Sequence, residues 1–83
     1  MTHQPSYDDI VAHIREVLSP LVDGPYSDDD DFVEVLDLDS DELSFMALAL
    51  EKKLCVKVPR REYRQIGTVR ELAAALHRHL PNR

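Results

Sequence analysis

Three stretches of this 83-residue chain repeat apolar residues at the 3.6-residue period of an α-helix, and none alternates as a strand does. Tyr7, Ile10, Val11, Ile14, Val17, Leu18 and Leu21 stand at offsets 0, 3, 4, 7, 10, 11 and 14. Leu43, Met46, Ala47, Leu50 and Leu54 stand at 0, 3, 4, 7 and 11, and Val69, Leu72, Ala73, Leu76 and Leu80 repeat that spacing. Each stripe predicts a helix with one face to bury. Boundary residues agree: Ser6 followed by Asp9 forms a capping pair, and Pro20 closes the first pattern near Ser19. Asp39 or Ser40 caps the second helix, with Asp41 and Glu42 in the first turn, where the helix dipole favours carboxylates. Thr68-Val69-Arg70-Glu71 is a capping box for the last helix.

Between these helices the pattern breaks in two ways. From Pro20 to Asp39 no periodicity persists; Asp23-Gly24-Pro25 and Asp28 to Asp31 read as a long polar connection, with Phe32, Val33, Val35, Leu36 and Leu38 pinning its second half to the core. After the second helix, Val56, Val58 and Pro59 give an extended link. Arg61 to Ile66 then allow one short helix, ended by Gly67. The expected fold is an all-α bundle of three main helices and one short third helix, its long first loop letting two helices run parallel.

Size and composition exclude several functions. A chain this short buries only about 60–65% of the surface it exposes when unfolded, which leaves no room for a large enclosed active site. Its single Cys forms no internal disulfide, and no Cys or His lies at ligand spacing beside it, so a structural zinc site is not expected. No apolar run approaches the ~20 residues of a membrane span, and Met1 to Asp9 lack a targeting pattern. The expectation is a soluble, cytoplasmic monomer without membrane insertion.

The net charge of −6 conceals a division. Residues 1–51 hold 14 acidic residues and one basic residue, Arg15, whereas residues 52–83 hold 9 basic and 2 acidic ones. Such asymmetry indicates either a partner of complementary charge or two halves that attract each other. Nucleic acid is a poor candidate, because the basic half lacks interleaved aromatics beyond Tyr63 and the acidic half repels phosphates.

Individual side chains narrow the chemistry further. A calcium loop starting at Asp37 fails, since its sixth position is Glu42 rather than Gly and its twelfth is Leu48 rather than a carboxylate. The Asp28 to Asp31 run therefore reads as a solvated acidic loop, with loose divalent binding as the alternative. His77 and His79 lie roughly 200° apart on a helix and cannot share a metal, while His3 and His13 show no evident partner. Cys55, between Leu54 and Val56, reads as a buried inert thiol. Ser40 lacks the Gly-x-Ser-x-Gly elbow and a nearby His base, which argues against a serine hydrolase.

Ser40 nevertheless stands where a helix start can carry a phosphate, its N–H groups and dipole accepting the negative charge. The surrounding Leu36-Asp37-Leu38-Asp39-Ser40 is followed by Ala49-Leu50-Glu51-Lys52-Lys53-Leu54, then Val58-Pro59 and Ile66-Gly67-Thr68-Val69. In these residues, and in helix order along the whole chain, the sequence resembles the acyl carrier proteins. The resemblance implies one four-helix acyl-carrier-like domain over residues 1–83, with 1–5 a disordered N-terminus and 81–83 a C-terminal tail. It also implies a carrier and not an enzyme. A separate phosphopantetheinyl transferase would use coenzyme A and magnesium to attach 4′-phosphopantetheine to Ser40, and acyl-transferring client enzymes would exchange thioesters with the arm. Asp39 would set the helix start and join an acidic recognition surface. The alternative is an interaction module with the carrier fold and no prosthetic group.

The outer face of the second helix and two departures from the family bear on partners. With Ser40 at 0°, the apolar stripe of the second helix spans roughly 240° to 340°, and Leu48, Asp41, Lys52 and Phe45 lie opposite it at roughly 80° to 140°. Phe45 and Leu48 there either pack under the loop and short helix or form a docking patch with Asp41, Glu42, Glu51 and Lys52. The family usually has an apolar residue after the serine and often an acidic one four positions further on; here these are Asp41 and Phe45. Finally, Lys52 and Lys53 stand where fatty-acid carriers tend to continue acidic, and Lys57, Arg60, Arg61 and Arg64 follow beyond them. This points towards a specialised acyl, polyketide or amino-acyl pathway.

Overall fold

The computed structural model describes residues 5–80; of the N-terminus expected to be disordered over residues 1–5, residues 1–4 lie outside the described residues, as does the tail 81–83. Four helices follow one another: α1, Tyr7–Leu18; α2, Ser40–Leu54; α3, Arg60–Tyr63; and α4, Val69–Arg78. A 3-10 turn at Ser19–Leu21 follows α1, as expected where Pro20 removes a backbone donor. The described residues contain no strand, and the bundle is all-α.

The three stripes meet in a single core. Ile10, Ile14 and Leu18 of α1, Met46 and Leu50 of α2, and Val69, Leu72, Ala73 and Leu76 of α4 are all buried. Each large side chain among them contributes about 1.5–3 kcal/mol of burial. Helix α1 lies against both α4 and α2. Caps hold the starts of all three main helices. Ser6 Oγ accepts from Asp9 N–H at 3.1 Å while Asp9 Oδ2 accepts from Ser6 N–H at 3.0 Å. At α4 only half of the expected box forms as written: Thr68 Oγ1 accepts from Glu71 N–H, but Glu71 Oε1 reaches past Thr68 to Gly67 N–H at 2.7 Å.

The long loop is pinned at fewer points than its apolar residues suggested. Phe32 and Leu38 are buried and Leu36 is partly so, whereas Val33 and Val35 are 55% and 59% exposed. The difference falls in a turn closed by Asp31, whose Oδ1 accepts from the N–H groups of Val33 and Glu34 at 2.9 Å and whose carbonyl oxygen accepts from that of Val35 at 3.0 Å, with both valines left on its outer side. Phe32 N–H donates to Gly67 O at 2.7 Å, tying the loop to the start of α4. A Cβ at Gly67 would lie 2.9 Å from Asp31 Oδ2, so a larger residue there would have to displace that carboxylate.

The acidic run is internally engaged. Asp28 pairs with Arg15, Asp29 Oδ1 accepts from Arg70 Nε at 2.6 Å, Asp30 Oδ2 accepts from Ser27 N–H, and Asp31 caps the turn. Among the described residues no group of three His, Cys, Asp or Glu is placed to hold a metal ion. The two oppositely charged halves do attract: Arg70 meets Asp29, and Lys53 Nζ lies 3.2 Å from Glu16. Arg70 lowers the pKa of Asp29, and Lys53 followed by His13 lowers that of Glu16. His13, expected to lack a partner, lies 3.5 Å from Glu16.

Two local expectations are corrected. The short third helix occupies Arg60–Tyr63 rather than Arg61 to Ile66; it starts directly after Pro59 and ends well before Gly67. Cys55 is exposed, not buried. It terminates α2 in the left-handed conformation (φ 57°, ψ 45°), which turns its side chain off the apolar stripe while Val56 beyond it enters the core.

Candidate functional site

Ser40 is the first residue of α2 and is exposed. Asp39 is the N-cap: its Oδ1 accepts from Glu42 N–H at 2.8 Å, and Glu42 Oε1 accepts from Asp39 N–H at 3.0 Å. This reciprocal pair fixes the helix start on both sides of the serine. The opening N–H groups of a helix have no intrahelical acceptor. Asp39 takes that of Glu42, and among the described residues no acceptor takes those of Ser40 and Asp41.

Beside Ser40 lies a cleft of about 570 Å³ between α2, α3 and the start of α4. Its floor is apolar, built from Phe32, Leu43, Met46, Val58, Ile66 and Leu72, and its rim carries Ser40, Ser44, Lys57, Arg60 and Arg64. Leu48, Glu51 and Lys57 also border a second, shallower basin of about 670 Å³ that reaches Lys52, Cys55 and His79.

Helix α3 walls the cleft although it has only four residues, too few for independent stability. Two carboxylates hold it. Glu51 of α2 accepts from the Tyr63 hydroxyl and, through the same Oε2, from Val58 N–H at 3.3 Å. Glu62 receives Arg78 at 2.8 Å and meets His79 Nε2 at 2.9 Å, which anchors α3 to the end of α4. Burial first and then the Glu51 carboxylate push the pKa of Tyr63 up, while Arg78 and then His79 draw that of Glu62 down.

The predicted site residues take three roles, and Glu51 has two of them. Ser40, Leu48 and Glu51 come together around the cleft. Asp41, Phe45 and Lys52 lie on exposed positions of α2 outside it. Asp39 and Glu42 are committed to the cap, and Glu51 to fixing α3. Phe45 is 60% and Leu48 67% exposed, so neither packs under the loop or α3 as a core residue would. The sequence reading did not assign Ser44, Lys57, Arg60, Tyr63 or Arg64 to the cleft. Two signals were present: Ser44 lies one turn beyond Ser40, and positions 60, 63 and 64 have the spacing of one helix face.

Compared with known proteins, the chain matches no family model and no curated protein.

Proposed function

We propose that the chain is a freestanding carrier protein with Ser40 as the attachment point for 4′-phosphopantetheine. Its cargo is an acyl intermediate of a fatty-acid-related or specialised acyl or polyketide pathway. The reading rests on the resemblance around Asp39-Ser40 and above all on one observation. An exposed hydroxyl sits at the first residue of a doubly capped 15-residue helix and opens on an apolar-floored cleft.

The residues fit the group. The Ser40 hydroxyl is accessible, and the first-turn N–H groups favour a phosphate beside it. When attached, the arm supplies a terminal thiol that holds an acyl group as a thioester. Attachment joins Ser40 Oγ to the β-phosphorus of coenzyme A and breaks the diphosphate bond. Adenosine 3′,5′-bisphosphate leaves, and the serine proton passes to a base of the phosphopantetheinyl transferase.

The remaining work falls to this chain's own side chains. Asp39 and Glu42 keep the serine at a defined helix start. Phe32, Met46 and Leu72 shield an apolar chain from water, and Asp41, Phe45, Leu48 and Lys52 present the surface met by the transferase and client enzymes. Catalysis resides in those enzymes, and the carrier acts as a cytoplasmic monomer. None of the helices among the described residues is long and apolar enough to cross a membrane.

Incubation with coenzyme A, magnesium and a broad-specificity phosphopantetheinyl transferase is expected to add one phosphopantetheine mass, and Ser40→Ala to abolish the gain. Absence of any gain across several transferases would refute the carrier reading and leave a carrier-fold interaction module.

A further inference from the structure

Ion pairing sorts the cations of this protein by location. Arg15, Lys53, Arg70 and Arg78 each meet a carboxylate. Lys52, Lys57, Arg60, Arg61 and Arg64 meet none among the described residues, and three of these, Lys57, Arg60 and Arg64, line the cleft beside Ser40. The carboxylate of the cleft, Glu51, is held by Tyr63 and Val58 N–H. The lining therefore carries a net positive charge over an apolar floor.

Folding does not call for this arrangement. Arg60 and Arg64 stand one helical turn apart, a spacing at which like charges repel. A plain alkyl chain would require the floor alone. An amphipathic anion uses both parts, its chain on the apolar residues and its charged end among cations that meet no carboxylate among the described residues. Because Ser40 borders the same cleft, a cargo tethered there is the molecule best placed to meet both. We propose that the cleft selects acyl groups whose far end bears a carboxylate, a specificity that rests on the carrier reading above.

Two soluble probes of equal chain length separate the possibilities: S-adipoylpantetheine, with a terminal carboxylate, and S-hexanoylpantetheine, without one. Titrated into the unmodified protein and followed by amide chemical shifts, the adipoyl probe is expected to bind about fivefold more tightly at low salt. Added salt should erode the advantage. The double variant Arg60→Gln/Arg64→Gln, both positions being exposed, should abolish it and leave hexanoyl binding unchanged. Equal affinities, no binding by either probe, or an advantage that survives in the double variant would each overturn the proposal. In a parallel arm, a transferase loads Ser40 from the two corresponding coenzyme A thioesters, and the adipoyl form is expected to melt higher. If no transferase loads the protein, the carrier reading fails while the titration still reports the preference of the cleft. If loading succeeds and the titration shows no preference, the anionic cargo alone is rejected.

Discussion

Replacing Tyr63 by Phe removes one hydroxyl from the clamp that holds α3, and the structure sets the size of the effect. The hydroxyl donates to the Glu51 carboxylate, a charged acceptor, and such bonds contribute roughly 1.5–3 kcal/mol. Two features place this bond at the low end. Tyr63 is only half-buried, and Glu51 retains Val58 N–H at 3.3 Å, so no carboxylate is left without a partner. The ring remains in place, and the net loss is about 1–1.5 kcal/mol. For a domain of this size that lowers Tm by roughly 4–12 °C.

The dependence on pH identifies the cause. The fold raises the Tyr63 pKa above its ordinary 10.0, burial contributing first and Glu51 second. The stability carried by the un-ionised phenol is therefore fully present below pH 10.0 and is lost as pH rises through the higher folded value. Urea unfolding should show the wild type losing its advantage over Tyr63→Phe only at strongly alkaline pH. Ultraviolet phenolate absorbance should show a late ionisation step that the variant lacks. A variant as stable as the wild type, or one that differs from it equally at all pH values, would refute the clamp.

Three further outcomes are expected. Asp39→Ala should cost about 1 kcal/mol in urea unfolding, and Asp39→Asn, which keeps a capping oxygen, only a few tenths. Equal losses would show that the charge matters rather than the cap. Cys55→Gly should raise stability by about 0.5–1 kcal/mol under reducing conditions, because Gly adopts the left-handed backbone of Cys55 without strain; a decrease would assign the thiol a packing role. Phe45→Ala, at a side chain 60% exposed, should change stability by no more than about 0.5 kcal/mol while slowing modification of Ser40, and a large fall in Tm would return Phe45 to the core.

Periodicity made most of the fold legible. The stripes beginning at Tyr7, Leu43 and Val69 became three helices whose central residues, such as Ile14, Leu50 and Leu76, are buried. The capping pair at Ser6 placed the first helix start correctly, and the cap expected at Asp39 or Ser40 resolves to Asp39, which makes Ser40 the first residue of α2. A one-turn helix has no period to read, so the bounds of α3 were missed. The roles of the acidic loop were equally hidden: Asp28 finds Arg15 13 residues away and Asp29 finds Arg70 41 residues away, pairings set by packing rather than spacing. Val33 and Val35 misled because their apolar character does not reveal that Asp31 turns them outwards. The cleft itself was illegible, since its wall exists only once Glu51 and Glu62 fasten α3 across from α2.

That fastening separates two demands usually met by the same residues. The packing of α1 against α4 and α2 supplies the main interior, whereas the cationic rim of the cleft comes from the link and the α3 region. Substitutions at Lys57, Arg60 or Arg64, all exposed, can change the charge of the cleft without disturbing the buried apolar side chains. The charge of the cleft's rim and the stability of the bundle are thus set by different segments, so the first can vary at little risk to the second.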